Sequence, residues 1–225
     1  MGNVEALIDQ AIRAGQKSLA AAGDWLTGEQ RLAAALEARD ARTNELDLAR
    51  RNALSPNAVS GKHRATEHLP EEAVEVLHRI ASDPGRLTRD WANDMIAALG
   101  EEVYTELVGI AAKTALLDMF AWAMSDSDAT FRTSGDPDRG EPARHRPQTV
   151  GDVGAWVAQS TGSGMANVSR SLSLVPVTNQ AWVGLVQALY SRGDGFLDLE
   201  WKRGLSRPQV ELVAARTTAE LECFY

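Results

Sequence analysis

The residues best suited to chemistry lie at the end of the chain. There is one cysteine, Cys223, and a glutamate, Glu211, stands twelve residues before it. A thiol acts as its thiolate, either as a nucleophile or as a redox group. A nearby carboxylate can relay its proton. Spacing sets a condition on that pairing. On one unbroken helix twelve residues span about 18 Å and turn by about 120°. Glu211 therefore serves Cys223 only if the chain bends near 219–222 and starts a new helix. Charge sets a second condition. Glu220, Glu222 and the terminal carboxylate crowd Cys223, and three negative charges raise a thiol pKa. The plainer alternatives are a partly buried helix-end Cys223 and a Glu211 that favours the positive end of its helix.

Other chemical side chains form no motif. His63, His68, His78 and His145 are scattered, and the five-residue step from His63 to His68 is not metal-ligand spacing. They are expected to be solvated or hydrogen-bonded. Gly162-Ser163-Gly164 reads as a turn, because no strand precedes it and no lysine follows. Ser160, Ser163 and Ser169 lack a histidine–acid pattern. Trp25, Trp91, Trp122, Trp156, Trp182 and Trp201 are expected to pack between helices. No cofactor and no metal is expected.

These residues must be positioned by helices. Val4, Leu7, Ile8, Ala11 and Ile12 share one stripe, and residues 30–51 are rich in strong helix formers. Pro70 opens a helix over 71–80. Trp91, Met95, Ile96 and Leu99 mark another, closed by Gly100. Val103 through Met124 carry a longer one. Residues 149–159, 165–172, 182–193 and 205–222 complete the helical set. Leu172 to Val177 is the nearest strand candidate, and Pro176 interrupts it. Residues 125–148, rich in Pro, Gly and charge, read as a linker between two halves, 1–124 and 149–225. The fold class is all-α.

Composition narrows the function classes. The 225 residues are 44% hydrophobic and 24% charged, with a net charge of −8. That is ordinary globular composition, and no basic run suggests nucleic acid. A single cysteine excludes an internal disulfide. No signal peptide opens the chain, and no apolar run reaches the roughly 20 residues that span a bilayer. A cytoplasmic location is expected.

Residues 30–44 and 209–223 are weakly similar at an offset of 179, sharing Gln30 with Gln209 and Ala35 with Ala214. The stretches 207–225, 78–88, 102–109 and 172–176 together resemble the alkylhydroperoxidase D-like / carboxymuconolactone decarboxylase-like family, in its tandem-half form. The resemblance covers most of the chain. It implies two helical halves related as a degenerate repeat. It also implies a peroxide-reducing antioxidant protein, with an organic hydroperoxide and a dithiol reductant as partners, and a homo-oligomer. Cys223 would be the first, resolving cysteine of a Cys-x-x-Cys pair and Glu211 the relay carboxylate. The attacking cysteine would follow Tyr225, with a histidine beyond it, so the chain is expected to continue natively. In the other half the register sets Asn44 and Asp47 at the cysteine positions and Leu32 at the glutamate position. That half is expected to be a structural copy. The alternatives are a non-catalytic helical scaffold or oligomerisation module, and a decarboxylase-like protein for lactone acids.

Overall fold

In the computed structural model, which describes residues 2–124, 136–162, 167–190 and 204–220, local capping chemistry sets most helix starts. Helix α1 spans Gly2–Ser18. Helix α2, Gly28–Asp40, opens with a reciprocal cap: Thr27 Oγ1 accepts from the Gln30 amide, and the Gln30 side chain accepts from the Thr27 amide. Helix α3, Glu45–Asn52, opens on Asn44, whose Oδ1 accepts from the Leu46 amide at 3.1 Å. Helix α4, Glu71–Ser82, follows Pro70. Helix α5, Arg89–Leu99, starts at Thr88 and stops at Gly100, whose φ of +86° disfavours a side chain. Helix α6, Glu101–Ala123, begins at once. Helices α7 (Asn167–Arg170), α8 (Pro176–Leu189) and α9 (Arg207–Glu220) follow. The all-α reading holds at this level, and no helix among the described residues is long and apolar enough to cross a membrane.

Two local expectations fail. Residues 149–159 are not helical: Val150–Gly151 (β1) pairs antiparallel with Gln159–Ser160 (β2), in the register Val150 opposite Ser160. Residues 30–51 do not form one helix, because the chain bends over 41–44 between α2 and α3. The tryptophans divide as well. Trp91 packs edge-on against Tyr104, whereas Trp122 and Trp156 are exposed. Trp201 lies outside the described residues.

Contacts divide the chain into two compact units, Met1–Leu185 and Val186–Tyr225. In the first, α2, α4 and α6 pack on one another around Ala34, Ala35, Ala38, Val76, Leu77, Leu107 and Ile110. The alanine face of α2 lets its neighbours approach closely, and each buried aliphatic side chain contributes about 1.5–3 kcal/mol. Beside this core lies a buried polar junction. Glu106 of α6 pairs with Arg31 of α2 and accepts from the Asp24, Trp25 and Leu26 amides. Asp24 accepts from the Val177 and Thr178 amides at 2.9 Å, capping α8. A Cβ on Gly23 would meet the tips of the Glu106 and Arg31 side chains, so any larger residue there has to displace the buried ion pair. Lys113 is fully buried and donates to Ser18 Oγ at 3.0 Å.

The described part of the expected linker binds to this junction. The Asp138, Ala143 and Arg144 amides donate to the carbonyls of Ala20, Gly23 and Asp24. Arg146 pairs with Glu101 and Glu102 at the start of α6.

Candidate functional site

Five side chains from α2, α3, α4 and the 53–70 loop make a continuous chain of alternating carboxylates and imidazoles. Its order is Glu37, His78, Asp47, His63, Glu75. Asp47 sits in the first turn of α3, where the dipole favours a carboxylate. Glu75 and His78 stand three apart on α4 and so share a face. Glu37 reaches in from the last turn of α2.

The contacts are short. His78 Nδ1 lies 2.5 Å from Asp47 Oδ2, and its Nε2 lies 3.0 Å from Glu37 Oε2. His63 Nε2 lies 3.3 Å from that same Asp47 oxygen, and its Nδ1 lies 2.6 Å from Glu75 Oε2. The two rings stack with centroids 4.0 Å apart. All four ring nitrogens thus face carboxylate oxygens. The Asp47, His78 and His63 side chains are 0%, 1% and 4% exposed, and Glu75 and Glu37 are 18% and 23% exposed. Ser82 Oγ lies 3.4 Å from the second Asp47 oxygen.

Arg50 holds one end of the array. Its Nη1 donates to both Glu75 oxygens, and its Nη2 donates to the Gly61 carbonyl at 3.0 Å. Gly61 has a φ of +136°, a backbone setting that L side chains rarely adopt.

The array shifts its own proton affinities. Burial opposes the charged form of His63, but hydrogen bonds and charge from Asp47 and Glu75 outweigh it and push the pKa up to about 9. Burial would raise Asp47, yet His63 and His78 hold it below the usual carboxylate range. Glu75 is likewise held low against burial, by His63 and Arg50.

The His63–Glu75 end opens on a cavity of about 290 Å³ whose wall includes His63, Glu75, Arg50, Lys62, Trp91 and Met95. Bases at one side and an apolar Trp91–Met95 wall at the other suit a small molecule.

The residues singled out from sequence lie elsewhere. Glu211 is half-exposed on α9, where it accepts from Tyr190 Oη at 3.1 Å and from Arg207 Nε at 3.3 Å. Cys223, and with it the bend that would carry Glu211 to the thiol, lies outside the described residues. His63 and His78 are hydrogen-bonded, as expected, but they are not scattered in space. They are 15 residues apart in sequence but stacked in space, and no local spacing could reveal that. Only the Glu75–His78 step on α4 was a sequence-level signal. Asp47 had surfaced as a register position, without a partner.

Comparison of the chain with models of protein families, with curated proteins and with solved structures gave no match in any of the three.

Proposed function

We propose that the protein is a small-molecule enzyme whose working centre is the Glu37–His78–Asp47–His63–Glu75 array, and that its chemistry is thiol-independent acid–base catalysis. One observation carries this: an unbroken run of bases, buried at its middle, ends on the wall of a cavity large enough for a small substrate. Such an array can exchange a proton with a bound molecule at Glu75, which lines the cavity, and pass charge through His63 toward Glu37. The array is built of carboxylates and imidazoles, so proton transfer is the reaction class that fits. That moves the reading toward the decarboxylase-like alternative, for which the sequence alone offered no acid–base pair.

The test is solvent-deuterium incorporation, followed by NMR, into a panel of small carbonyl compounds and lactone acids. Wild-type protein should catalyse exchange or turnover of at least one. His63→Gln and Glu75→Gln should each reduce the rate about 10²–10⁴-fold while circular dichroism stays native. Equal rates in wild type and variants would reject the reading.

Peroxide reduction by a dithiol is a second reading, favoured by one observation. Helices α2 and α9 start at Gly28 and Arg207, and the caps before them, Thr27 with Gln30 and Ser206 with Gln209, share the 179-residue offset. This supports a repeat that relates α2 to α9. A peroxide assay with a dithiol donor, comparing the chain with Cys223→Ser, tests it. Identical rates would remove the thiol from consideration.

A further inference from the structure

The array holds three carboxylates, Glu37, Asp47 and Glu75, against one guanidinium, Arg50. Metal binding requires both imidazoles neutral, and in that state the largely buried site carries a net charge of −2 for a cation to cancel. The geometry indicates where that cation would sit. His63 Nε2 and His78 Nδ1 converge on Asp47 Oδ2, and the three ligand atoms lie within 4.8 Å of one another. The outward nitrogens each have a carboxylate of their own, Glu75 for His63 and Glu37 for His78. A ring nitrogen that donates its proton to a carboxylate leaves the opposite nitrogen with a bare lone pair. That is the arrangement by which outer carboxylates orient metal-bound histidines.

We propose that Asp47, His63 and His78 bind one divalent transition-metal ion of the zinc class, with Glu75 and Glu37 orienting the two imidazoles from behind. One dication neutralises the site. Two nitrogens and one carboxylate suit zinc and its neighbours and not calcium or magnesium, which prefer all-oxygen sets. Donors bound at about 2.0–2.2 Å stand about 3.3–3.6 Å apart around a tetrahedral ion. The 3.3 Å contact of His63 with Asp47 already has that spacing, and the 2.5 Å contact of His78 has to widen by about 1 Å. Three protein ligands leave a position open for water or substrate, and His63 also lines the cavity. The inference rests on the array being the working centre, and gives that centre an electrophile alongside its bases. A second group, Glu37, Asp40 and His78, shares one ligand but includes the exposed Asp40, so the test has to separate the two.

Metal-free full-length protein is titrated with Zn²⁺ by calorimetry, and with Co²⁺ by visible absorption. The expected result is one ion per chain, with tetrahedral or five-coordinate cobalt bands and a higher melting temperature. His63→Gln and Asp47→Asn should each weaken binding at least about 100-fold. Glu75→Gln should weaken it about 10–100-fold, and Asp40→Asn should leave it unchanged. Circular dichroism establishes that each variant is folded, and the cobalt spectrum of the wild type needs no variant at all. Absence of saturable binding to the wild type would overturn the proposal. So would binding that survives His63→Gln and disappears in Asp40→Asn. Deuterium exchange without metal binding would remove the metal and keep the acid–base reading. Metal binding without exchange or turnover would do the reverse.

Discussion

Glu106 accepts from three backbone amides and from Arg31, and both charged side chains are buried. Glu106→Ala removes the acceptor of those amides and the counter-charge of Arg31, whose guanidinium keeps only the Ser18 carbonyl and the Thr178 hydroxyl. It should destabilise the fold by about 3–5 kcal/mol, as read by urea unfolding. A loss below about 1 kcal/mol would mean that water enters the junction and replaces the carboxylate. Lys113 predicts the opposite sign. Burial lowers its pKa well below the usual lysine value, with Arg31 acting in the same direction. The unfolded chain therefore binds a proton that the folded chain resists. Stability from this group is complete above the unfolded lysine pKa and is lost as pH falls toward the folded one. Lys113→Met should thus stabilise the protein by about 1–3 kcal/mol at pH 7, with the gain shrinking toward pH 10.5. A gain independent of pH would place its origin in packing. At this scale the sequence was legible only for residues whose neighbours are local. Glu75 and His78 share a helix face and could be read together. His63, Asp47 and Glu106 acquire their meaning from partners 12–82 residues away, which no periodicity encodes.

The helices were legible because capping, proline and periodicity are local signals, as in the α4 start after Pro70 and the α5 stop at Gly100. The break between α2 and α3 was not, because strong helix formers run through it and only Asn44 marks the restart. Residues 149–159 failed for a related reason. Their apolar residues, Val150, Val153 and Val157 among them, suit a helix face and a short ladder equally well, and the Gly151–Gln159 pairing chose the ladder. Thr27→Ala removes one half of the reciprocal cap on α2 and should cost about 1 kcal/mol, measurable by thermal unfolding. Asn44 and Asp47 occupy the cap and the first turn of α3, where amide donors and dipole would acidify a thiol. If the 179-residue repeat is real, Asn44→Cys with Asp47→Cys should install peroxide-oxidisable dithiol chemistry beside His78. Thiol oxidation no faster than that of free cysteine would count against the repeat as a functional relationship.

For the molecule as a whole, composition and helical period gave the fold class, and the division into units escaped them. The expected linker looked like solvated charge. Its described part is fastened by backbone amides to carbonyls of the 20–24 loop, and backbone bonds leave no side-chain signature. The boundary at 185/186 falls inside the regular helix α8, where composition does not change. A fragment ending at Leu189 retains every residue of the array and the junction. It should unfold cooperatively, with a midpoint within about 3 °C of the full chain, equivalent to about 1 kcal/mol at this size. Loss of the cooperative transition would show that the first unit depends on the second.

The junction also imposes an order on biogenesis. Asp24 belongs to the first loop between helices to be made, yet the amides it caps belong to Val177 and Thr178. At about 5–20 residues per second, a ribosome needs roughly 8–30 s to cover the interval between them. Throughout that time the 20–27 loop lacks part of its lining, and α2 has nothing to lock it against the start of α8. The polar junction therefore closes late in synthesis, whereas the alanine-rich face of α2 meets α4 and α6 as soon as those helices are made.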